Sequence, residues 1–541
     1  MRQFRNRMSI FPLGLVCTLH LHSCGGGSFI GSSGKSSKKN VGISTTDGGE
    51  ICNKKRPVIG DLKPVEKWHW AGWTSPSGKK YATTYSSPVA ADLDGDGKTE
   101  IVVIPSQDNN YYSDNGPVVV LEGATGKPLW NSRETLQQGG MVSQTPILAD
   151  LDGDGFAEII FSAFVTPTDL SYVFPSTSSD PSHQIAISAV KIVALDYKAK
   201  TIKYQYSSNS LKCGASASSG GGIWMGGSNA YCMGAAADID GDGKIEVIFG
   251  NVILNNQLSL KQQLNDIGDA QPATVTVADL DHSKQGLEVI VNGSNVFDSS
   301  GTKLWSGACN GYSAVSDVDN NGEPDLVCMS YNSNDLYMYS KSGAQIWKSL
   351  VPKLADATQG GGGPPNVGNF LGDDKFEIGL AGGDYYVVFN SQGKEVWKQR
   401  TTDRSSLRTG STIFDFNGDG KMEVIYNDEQ KLRIYAGETG DVLWETDNPS
   451  GTLWEYPLVV NVDDEISSEL VVSSPALGGL RVFEDPKNLW MYSRRVWNQY
   501  SYFPEIVDDL LKSTPIFGQH VRHGFRLNNP GLNPHVDIPC K

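Results

Sequence analysis

Short apolar segments alternate with acidic, Gly-rich turns along most of the chain, without a long helical period. A strand of small or branched residues, such as Pro88-Val-Ala-Ala91, precedes each acidic turn, and a strongly apolar strand, such as Ile101–Ile104, follows it. Small residues suit a strand crowded near an axis, and a continuous apolar run suits a strand buried between two sheets. The pattern therefore predicts pairs of consecutive strands joined by an acidic loop.

A second hairpin follows in most of these repeats. It carries a Gly and a Trp four residues apart, and we interpret each Trp as a core or inter-blade packing residue. Two hairpins per repeat make a four-stranded sheet, and a repeat of tens of residues with such sheets predicts an all-β protein with a β-propeller fold. The Gly and Trp pairs are Gly126–Trp130, Gly301–Trp305, Gly343–Trp347, Gly393–Trp397 and Gly440–Trp444.

The acidic turns have the form DxDGDGxxE, as in Asp92-Leu-Asp-Gly-Asp-Gly-Lys-Thr-Glu100. Ca²⁺ takes six to eight oxygen ligands, so acids at positions one, three, five and nine and a backbone carbonyl at position seven can surround one ion, while Gly at position six allows the sharp turn. An EF-hand instead places its last Glu at position twelve and continues into a helix. The motif therefore predicts calcium as cofactor, held in a turn between two strands.

Five copies of the motif are intact, and copies that begin at 279, 369 and 461 are eroded and are expected to bind weakly or not at all. Eight loop positions predict eight blades, with seven as the alternative if one eroded copy is not a blade. The candidate ligands are Asp92, Asp94, Asp96, Lys98, Glu100; Asp150, Asp152, Asp154, Phe156, Glu158; Asp238, Asp240, Asp242, Lys244, Glu246; Asp317, Asp319, Asn321, Glu323, Asp325; and Asp415, Asn417, Asp419, Lys421, Glu423.

Composition supports this organisation. The 541 residues exceed what one ordinary core fills, so several domains or a repeat architecture is required. The 60 Gly and 26 Pro suit a turn-rich all-β chain. A formal net charge of −16 argues against nucleic acid as a partner, because phosphate binding needs a concentrated basic surface.

The N-terminus has the pattern of a secretory signal, with basic residues followed by the largely apolar Met8–Leu21. Its end, Leu21-His-Ser-Cys24, resembles the lipobox of bacterial lipoproteins, which would make Cys24 the lipid-bearing residue of an outer-membrane or cell-surface protein. A plain secretory signal cleaved nearby, which would leave the protein secreted, is the alternative. The predicted organisation is a signal at 1–24, a Gly/Ser/Lys tether at 25–60, the propeller at 61–500 and a tail at 501–541 that packs on it.

Six cysteines remain after the signal and Cys24, and in an exported protein all six can pair. We interpret Cys213–Cys232 and Cys309–Cys328 as local disulfides and Cys52–Cys540 as a bond between the two ends. Six cysteines allow 15 connectivities, and sequence order does not exclude the others.

The acidic loops resemble the FG-GAP/VCBS repeats of integrin-type propellers over residues 64–500, and the hairpins with Gly and Trp resemble those of quinoprotein-type propellers. The first resemblance implies that each acidic loop joins the innermost strand to the second and that partners bind the opposite face. The long loops with Tyr111, Tyr112 and Trp224 would then lie on that opposite face and are candidate ligand-binding residues. Ornamented surface without a ligand is the alternative.

Two functions follow from these patterns. The first is a calcium-stabilised, non-enzymatic binding or adhesion module at the cell surface, with a protein or glycan ligand and contact with the membrane only through the lipid. The second is a carbohydrate-active or quinone-dependent propeller enzyme. An enzyme would need paired acids outside the calcium loops or a GxSxG nucleophile, and the sequence offers no candidate for either. The C-terminal tail, from Ser493, is expected to lay a closing strand against Trp68-His-Trp70.

Overall fold

The computed structural model describes residues 62–107, 115–142, 144–164, 190–208, 211, 232–268, 273–331, 333–357, 360–373, 375–513, 525 and 528. All of them belong to one compact unit, Ser44–Lys541. Regular structure in these residues is almost entirely strand, apart from a short helix α1 (Ser132–Thr135) and a 3-10 turn (Pro504–Ile506). The predicted all-β class is confirmed. No helix within the described ranges is long and apolar enough to cross a membrane.

The first four blades are antiparallel four-stranded meanders that run from the innermost strand outward. Blade 1 consists of Val89–Ala91, Glu100–Val103, Val119–Glu122 and Pro128–Asn131; blade 2 of Ile147–Ala149, Glu158–Phe164, Val190–Asp196 and Thr201–Ser208; blade 3 of Ala235–Ala237, Glu246–Phe249, Val252–Leu254 and Leu260–Gln263; and blade 4 of Ala273–Ala278, Glu288–Val291, Gly293–Phe297 and the first part of Lys303–Ser316.

The next four blades repeat this arrangement. Blade 5 consists of the second part of Lys303–Ser316 with Asp325–Ser330, Asp335–Ser340 and Gln345–Leu350; blade 6 of Asn366–Gly368, Glu377–Ala381, Tyr385–Phe389 and Glu395–Arg400; blade 7 of Ser411–Phe414, Glu423–Asn427, Lys431–Tyr435 and Val442–Asp447; and blade 8 of Leu458–Val460, Glu469–Ser473, Leu480–Glu484 and Val65–Trp70.

One long strand, Lys303–Ser316, belongs to two blades. Its first part pairs with Gly293–Phe297 and its second part with Asp325–Ser330, which joins blades 4 and 5 into one eight-stranded sheet. Counting each four-stranded meander as a blade, we obtain eight blades from the described strands. The remaining short strands are Trp73–Thr74, Lys80–Thr83 and Ser106–Gln107 in one sheet, Asn115–Pro117 with Gly139–Met141 in another, and Cys232–Met233, which extends blade 4.

Residue size explains the order of strands within a blade. Ala235, Ala236 and Ala237 form the innermost strand of blade 3 and are at most 4% exposed. Side chains this small let the eight inner strands converge around the axis. The second strand of the same blade, Glu246–Phe249, is buried along its whole length, as expected for a strand covered by neighbouring sheets on both faces.

The ring is closed by the N-terminal strand rather than by the tail. Val65–Trp70 is the outermost strand of blade 8 and pairs antiparallel with Leu480–Glu484. The described part of the tail, residues 493–513, 525 and 528, does not pair with Trp68-His-Trp70; the rest of the predicted tail lies outside the described residues. Because the first strand completes the last sheet, the two sequence-distant ends of the propeller are joined by backbone hydrogen bonds.

The Trp residues of the outer hairpins link neighbouring blades. The Nε1 of Trp68, in blade 8, donates to the carbonyl of Gly123, in blade 1, at 2.9 Å. Trp305, Trp347 and Trp397 make the same bond to the next blade in the chain. Each ring also covers the hairpin Gly of that next blade, and a Cβ on Gly126 would lie 2.4 Å from the ring of Trp68. These Trp residues are inter-blade packing residues.

The segment after blade 8 crosses the inner strands of consecutive blades. It contacts blades 8, 1, 2, 3 and 4 in turn, through the pairs Arg494 with Asn461, Trp497 with Ala90, Asn498 with Leu148, Gln499 with Ala236 and Ser501 with Thr276. We call residues 493–513 the axial segment. Two of its large side chains, Trp497 and Arg494, are fully buried packing groups.

One predicted disulfide lies within the described residues. Cys309 and Cys328 are bonded, which confirms that prediction, and the bond links blades 4 and 5 through the strands Lys303–Ser316 and Asp325–Ser330. Cys232 is also disulfide-bonded. Cys213, Cys52 and Cys540 lie outside the described residues, so the pairings Cys213–Cys232 and Cys52–Cys540 stay predictions.

Candidate calcium-binding loops

Each acidic loop joins the innermost strand of its blade to the second strand, as the sequence predicts. The first Asp accepts backbone N–H groups with both carboxylate oxygens: Asp92 accepts from Gly95 at 2.8 Å and from Gly97 at 2.9 Å. The Gly at position six has a φ between 83° and 91° in all five intact loops, a left-handed conformation that favours glycine. The loop backbone is therefore wrapped around its first carboxylate.

The acid at position nine, or at position ten in the blade 4 loop with its one-residue insertion, closes the loop in every blade. Glu100 accepts the N–H of Leu93 at 2.8 Å, and Glu423 accepts that of Phe416 at 3.0 Å. The eroded loops of blades 4, 6 and 8 keep this bond through Glu288, Glu377 and Glu469. The closing acid thus has a structural role in the loop as well as a candidate role as a ligand.

Carboxylate oxygens converge in four of the five intact loops. In each of these loops three acids place one oxygen apiece within 4.8 Å of one another. The fifth intact loop, in blade 7, has Asn417 at position three, so its acidic positions are Asp415, Asp419 and Glu423. The four acid groups are Asp92, Asp94 and Asp96; Asp150, Asp152 and Glu158; Asp238, Asp240 and Glu246; and Asp317, Asp319 and Asp325.

The residues at positions five and seven complete the turn. The backbone N–H of Lys98 donates to Asp96, that of Phe156 to Asp154 and that of Lys244 to Asp242. Blades 5 and 7 repeat the bond, from Glu323 to Asn321 and from Lys421 to Asp419. Position seven is therefore held by its backbone, consistent with a carbonyl ligand that does not depend on the side chain.

Three of the five intact loops contain a buried carboxylate oxygen without a hydrogen-bond partner. These atoms are Asp94 Oδ1 in blade 1, Asp319 Oδ1 in blade 5 and Glu423 Oε1 in blade 7. The Glu423 side chain is fully buried. A buried carboxylate oxygen without a partner is costly, and a hard cation would satisfy it. The residues present therefore fit calcium, which would supply charge neutralisation and cross-linking of the loop.

Burial and mutual repulsion raise the pKa of the closing acids. Burial raises the pKa of Glu100 to about 8, and the neighbouring Asp94 and Asp92 add to the rise. Burial likewise raises the pKa of Asp325 to about 7 and that of Glu423 to about 9. Because these acids are hard to ionise in a cation-free loop, a bound divalent cation would stabilise the ionised forms.

Lysine ammonium groups contact the acids in three other loops. Lys203 Nζ lies 2.5 Å from Asp152 and 2.8 Å from Glu158 in blade 2. Lys261 Nζ lies 2.7 Å from Asp240 and 2.8 Å from Glu246 in blade 3. In the eroded loop of blade 8, Lys67 Nζ lies 2.7 Å from Asp463. These three lysines lie outside the DxDGDGxxE motif, so the sequence pattern did not predict them.

Strand alternation places the second and fourth connections of each blade on the face opposite the acidic loops. A polar cavity of about 160 Å³ lies there between blades 5, 6 and 7, lined in part by Lys353, Asp356, Asp384 and Arg404. Arg404 bridges Asp384, at 2.6 Å, and Asp356, at 2.8 Å. The predicted ligand-binding residues Tyr111, Tyr112 and Trp224, and the predicted lipid site Cys24, lie outside the described residues.

These observations define the class: a closed β-propeller with acidic turns on one face of the ring. The chain carries an FG-GAP-like repeat over residues 92–161, and residues 332–493 match the model of the outer membrane protein assembly factor BamB. The resemblances to FG-GAP and quinoprotein-type propellers are confirmed at this level. No curated protein matches the chain in sequence.

Solved structures share the fold at low sequence identity. The biofilm matrix protein Bap1 of V. cholerae has a TM-score of 0.64 and 19% identity, with 87% of this chain and 99% of that chain covered. The rhamnogalacturonan lyase PL11 of Bacillus licheniformis has a TM-score of 0.54 and 16% identity, with 85% and 82% covered. The exotype rhamnogalacturonan lyase YesX has a TM-score of 0.55 and 15% identity, with 88% and 84% covered. At these identities the likeness shows the fold alone.

Proposed function

We propose that the protein is a calcium-stabilised, non-enzymatic binding module displayed at the cell surface. The observation that carries the proposal is the filled axis. Trp497, Tyr500 and Tyr502 of the axial segment are at most 1% exposed, and Trp497 and Tyr502 stack with ring centroids 4.6 Å apart. Where these side chains lie, the centre of the ring is packed protein, which favours a scaffold that presents its loops to a partner.

Calcium has a structural role in this proposal. In blade 1 it would be held by Asp92, Asp94, Asp96 and Glu100, with the carbonyl of Lys98. Arg495 of the axial segment donates to the carbonyl of Gly97 in the same loop and to that of Asp463 in blade 8. A loop ordered by calcium would therefore also hold the axial segment in place across the junction between the first and last blades.

The face opposite the calcium loops is proposed as the ligand face. Its cavity combines Lys353 and Arg404 with Asp356 and Asp384, a mixed set of donors and acceptors that suits a polar ligand such as a glycan or a protein loop. The long insertions with Tyr111, Tyr112 and Trp224 belong to the same set of connections. Aromatic anchors in such loops would carry much of the binding energy.

A carbohydrate-active enzyme is the second candidate, favoured by the shared fold with the two rhamnogalacturonan lyases. That fold also occurs in the matrix protein Bap1, so the fold does not separate the two functions. The candidates differ in what they do to a bound polysaccharide: a binding module leaves it intact, whereas a lyase cleaves it and produces an unsaturated sugar.

A binding screen with a turnover assay separates them. The purified protein is applied to a glycan array and to immobilised rhamnogalacturonan, and soluble polysaccharide is monitored for the ultraviolet absorbance of an unsaturated product. We expect calcium-dependent retention without product. Tyr112→Ala, Trp224→Ala and Lys353→Ala should weaken retention, and Lys398→Ala, on an outer strand, should not. Product formation would favour the lyase, and retention unaffected by all three changes would contradict the ligand face.

Surface display is proposed on the sequence of the N-terminus. Cys24 would carry the lipid, so Cys24→Ala should move the protein from the membrane fraction to the soluble fraction. A variant that still sediments with membranes would show that another element anchors it.

A further inference from the structure

The lysines that contact the acidic loops share one position in the blade. In the outermost strand of every blade one residue at an equivalent position bulges out of the pairing with the third strand, and blade 4 has a second register shift further along the strand. This bulge residue is Lys203 in blade 2, Lys261 in blade 3 and Lys67 in blade 8. In the remaining blades it is aliphatic: Leu129, Leu304, Ile346, Val396 and Leu443 in blades 1, 4, 5, 6 and 7.

A bulge changes the direction of a side chain, and here it brings the ammonium to the loop of the same blade. Lys203 contacts the acids at positions three and nine of its loop, Asp152 and Glu158, and Lys261 contacts Asp240 and Glu246 in the same way. Both side chains are largely covered, at 18% and 32% exposed. Burial alone would lower the pKa of Lys203, but the bonds to Asp152 and Glu158 outweigh it and raise the pKa.

Among the five intact loops, those with an aliphatic bulge differ in the same two positions. Asp94 at position three in blade 1, Asp319 at position three in blade 5 and Glu423 at position nine in blade 7 each keep a buried oxygen without a hydrogen-bond partner. In blade 5, Lys341 contacts the position-seven side chain, Glu323, at 2.6 Å, and in blade 7 Lys421 pairs with Glu438 outside the loop. Among the intact loops, bulge identity thus correlates with whether the carboxylates have a resident cation; in the eroded loop of blade 8, Glu469 Oε1 lacks a hydrogen-bond partner although Lys67 Nζ lies 4.0 Å away.

We propose that Lys203 and Lys261 are built-in cations that keep the loops of blades 2 and 3 free of calcium, so that only the loops of blades 1, 5 and 7 bind it. This proposal rests on the proposed calcium role and adds which loops bind the ion. An ammonium tethered to the same blade competes at a high effective concentration, which free calcium would have to exceed. Calcium would also have to displace bonds already made to two carboxylates.

The eroded loops do not add to the count. In blade 4, Asp279 and Asp281 are paired with His282, at 3.1 Å, and Lys284, at 3.1 Å. In blade 6, positions one and three are Asn369 and Leu371. In blade 8, position one is Asn461 and Lys67 contacts Asp463. We therefore expect three calcium ions per chain.

Native mass spectrometry after equilibration with calcium and removal of the free ion counts these ions. Wild type should hold three. Lys203→Leu with Lys261→Leu, which installs the side chain found at this position in blade 1, should hold five, and Leu129→Lys should hold two. Lys398→Leu is the matched control, because Lys398 lies on an outer strand and pairs with Glu395 at 2.9 Å rather than with a loop acid. It should hold three.

The outcomes separate the two claims. A wild-type protein with no calcium would overturn the proposed calcium role itself. Five ions in wild type would leave that role intact and overturn the lysine proposal. If the double variant does not fold, the calcium counts of wild type and of Leu129→Lys still test the proposal. A Leu129→Lys protein that holds three calcium ions would contradict the claim that a lysine at the bulge excludes calcium.

Discussion

Replacing Trp497 by alanine should destabilise the ring by about 4 kcal/mol, the range for removing a fully buried Trp from a core. The side chain is 0% exposed and stacks on Tyr502 with ring centroids 4.6 Å apart. Its backbone N–H and C=O each bond to Ala90 at 2.9 Å, and these bonds do not depend on the side chain. The loss is therefore one of apolar contact and ring stacking at the axis.

This free energy corresponds to a small but measurable change in Tm. A folded body of roughly 450 residues has an unfolding entropy of about 1 kcal/mol per kelvin, so Tm should fall by about 4 °C in calorimetry at fixed calcium. Trp497→Phe keeps an aromatic ring against Tyr502, so its Tm should fall by less than half as much. Trp73→Ala, at a partly exposed residue near the ring surface, is the control and should lose about 1 °C. A Trp497→Ala protein that melts within 1 °C of wild type would refute the axial packing.

Two further changes test the core. Burial raises the pKa of Asp403 to about 7, although the hydrogen bond from Ser406 opposes the rise. The protonated Asp403 therefore stabilises the fold fully below the unfolded pKa of about 4, and this contribution is lost as pH rises through 7. Asp403→Asn should flatten the fall in Tm between pH 5 and 8, and an unchanged slope would contradict the raised pKa of Asp403. Replacing Cys309 and Cys328 by serine removes a disulfide that closes a loop of sequence separation 19. The free energy of unfolding should fall by about 3 kcal/mol, which would be measured as a lower Tm. An unchanged Tm would show that the bond does not stabilise the junction of blades 4 and 5.

The acidic loops and strand order were predictable because their signals are local. Nine consecutive residues, as in Asp92 to Glu100, determine the turn, and every intact copy keeps the bond from the position-six N–H to the first Asp and the bond that the closing acid accepts. The Trp of each outer hairpin could also be assigned to packing, since its spacing from Gly is fixed within one hairpin. These elements need no knowledge of distant contacts.

The lysines and the axial segment depend on contacts distant in sequence. Lys203 reaches Asp152 only because a bulge falls at that residue, and Lys67 is separated from Asp463 by almost the whole propeller. The sequence does contain a signal for Lys67: the residue just before the outer Trp is Leu129 in blade 1 but Lys67 in blade 8. The route of Trp497 across the inner strands had no local signal, because Trp and Arg in a tail also suit a binding patch.

Thermal unfolding with and without calcium tests the central claim most directly. At free calcium 100-fold above Kd each site adds about 2.7 kcal/mol, so three sites add about 8 kcal/mol. With an unfolding entropy of about 1 kcal/mol per kelvin, Tm in calcium should exceed Tm in excess EGTA by about 8 °C, and readdition of calcium should restore it. Asp94→Asn together with Glu100→Gln, in blade 1, should remove about a third of this difference. Superimposable melting curves in calcium and EGTA would contradict the assignment of these loops as calcium sites.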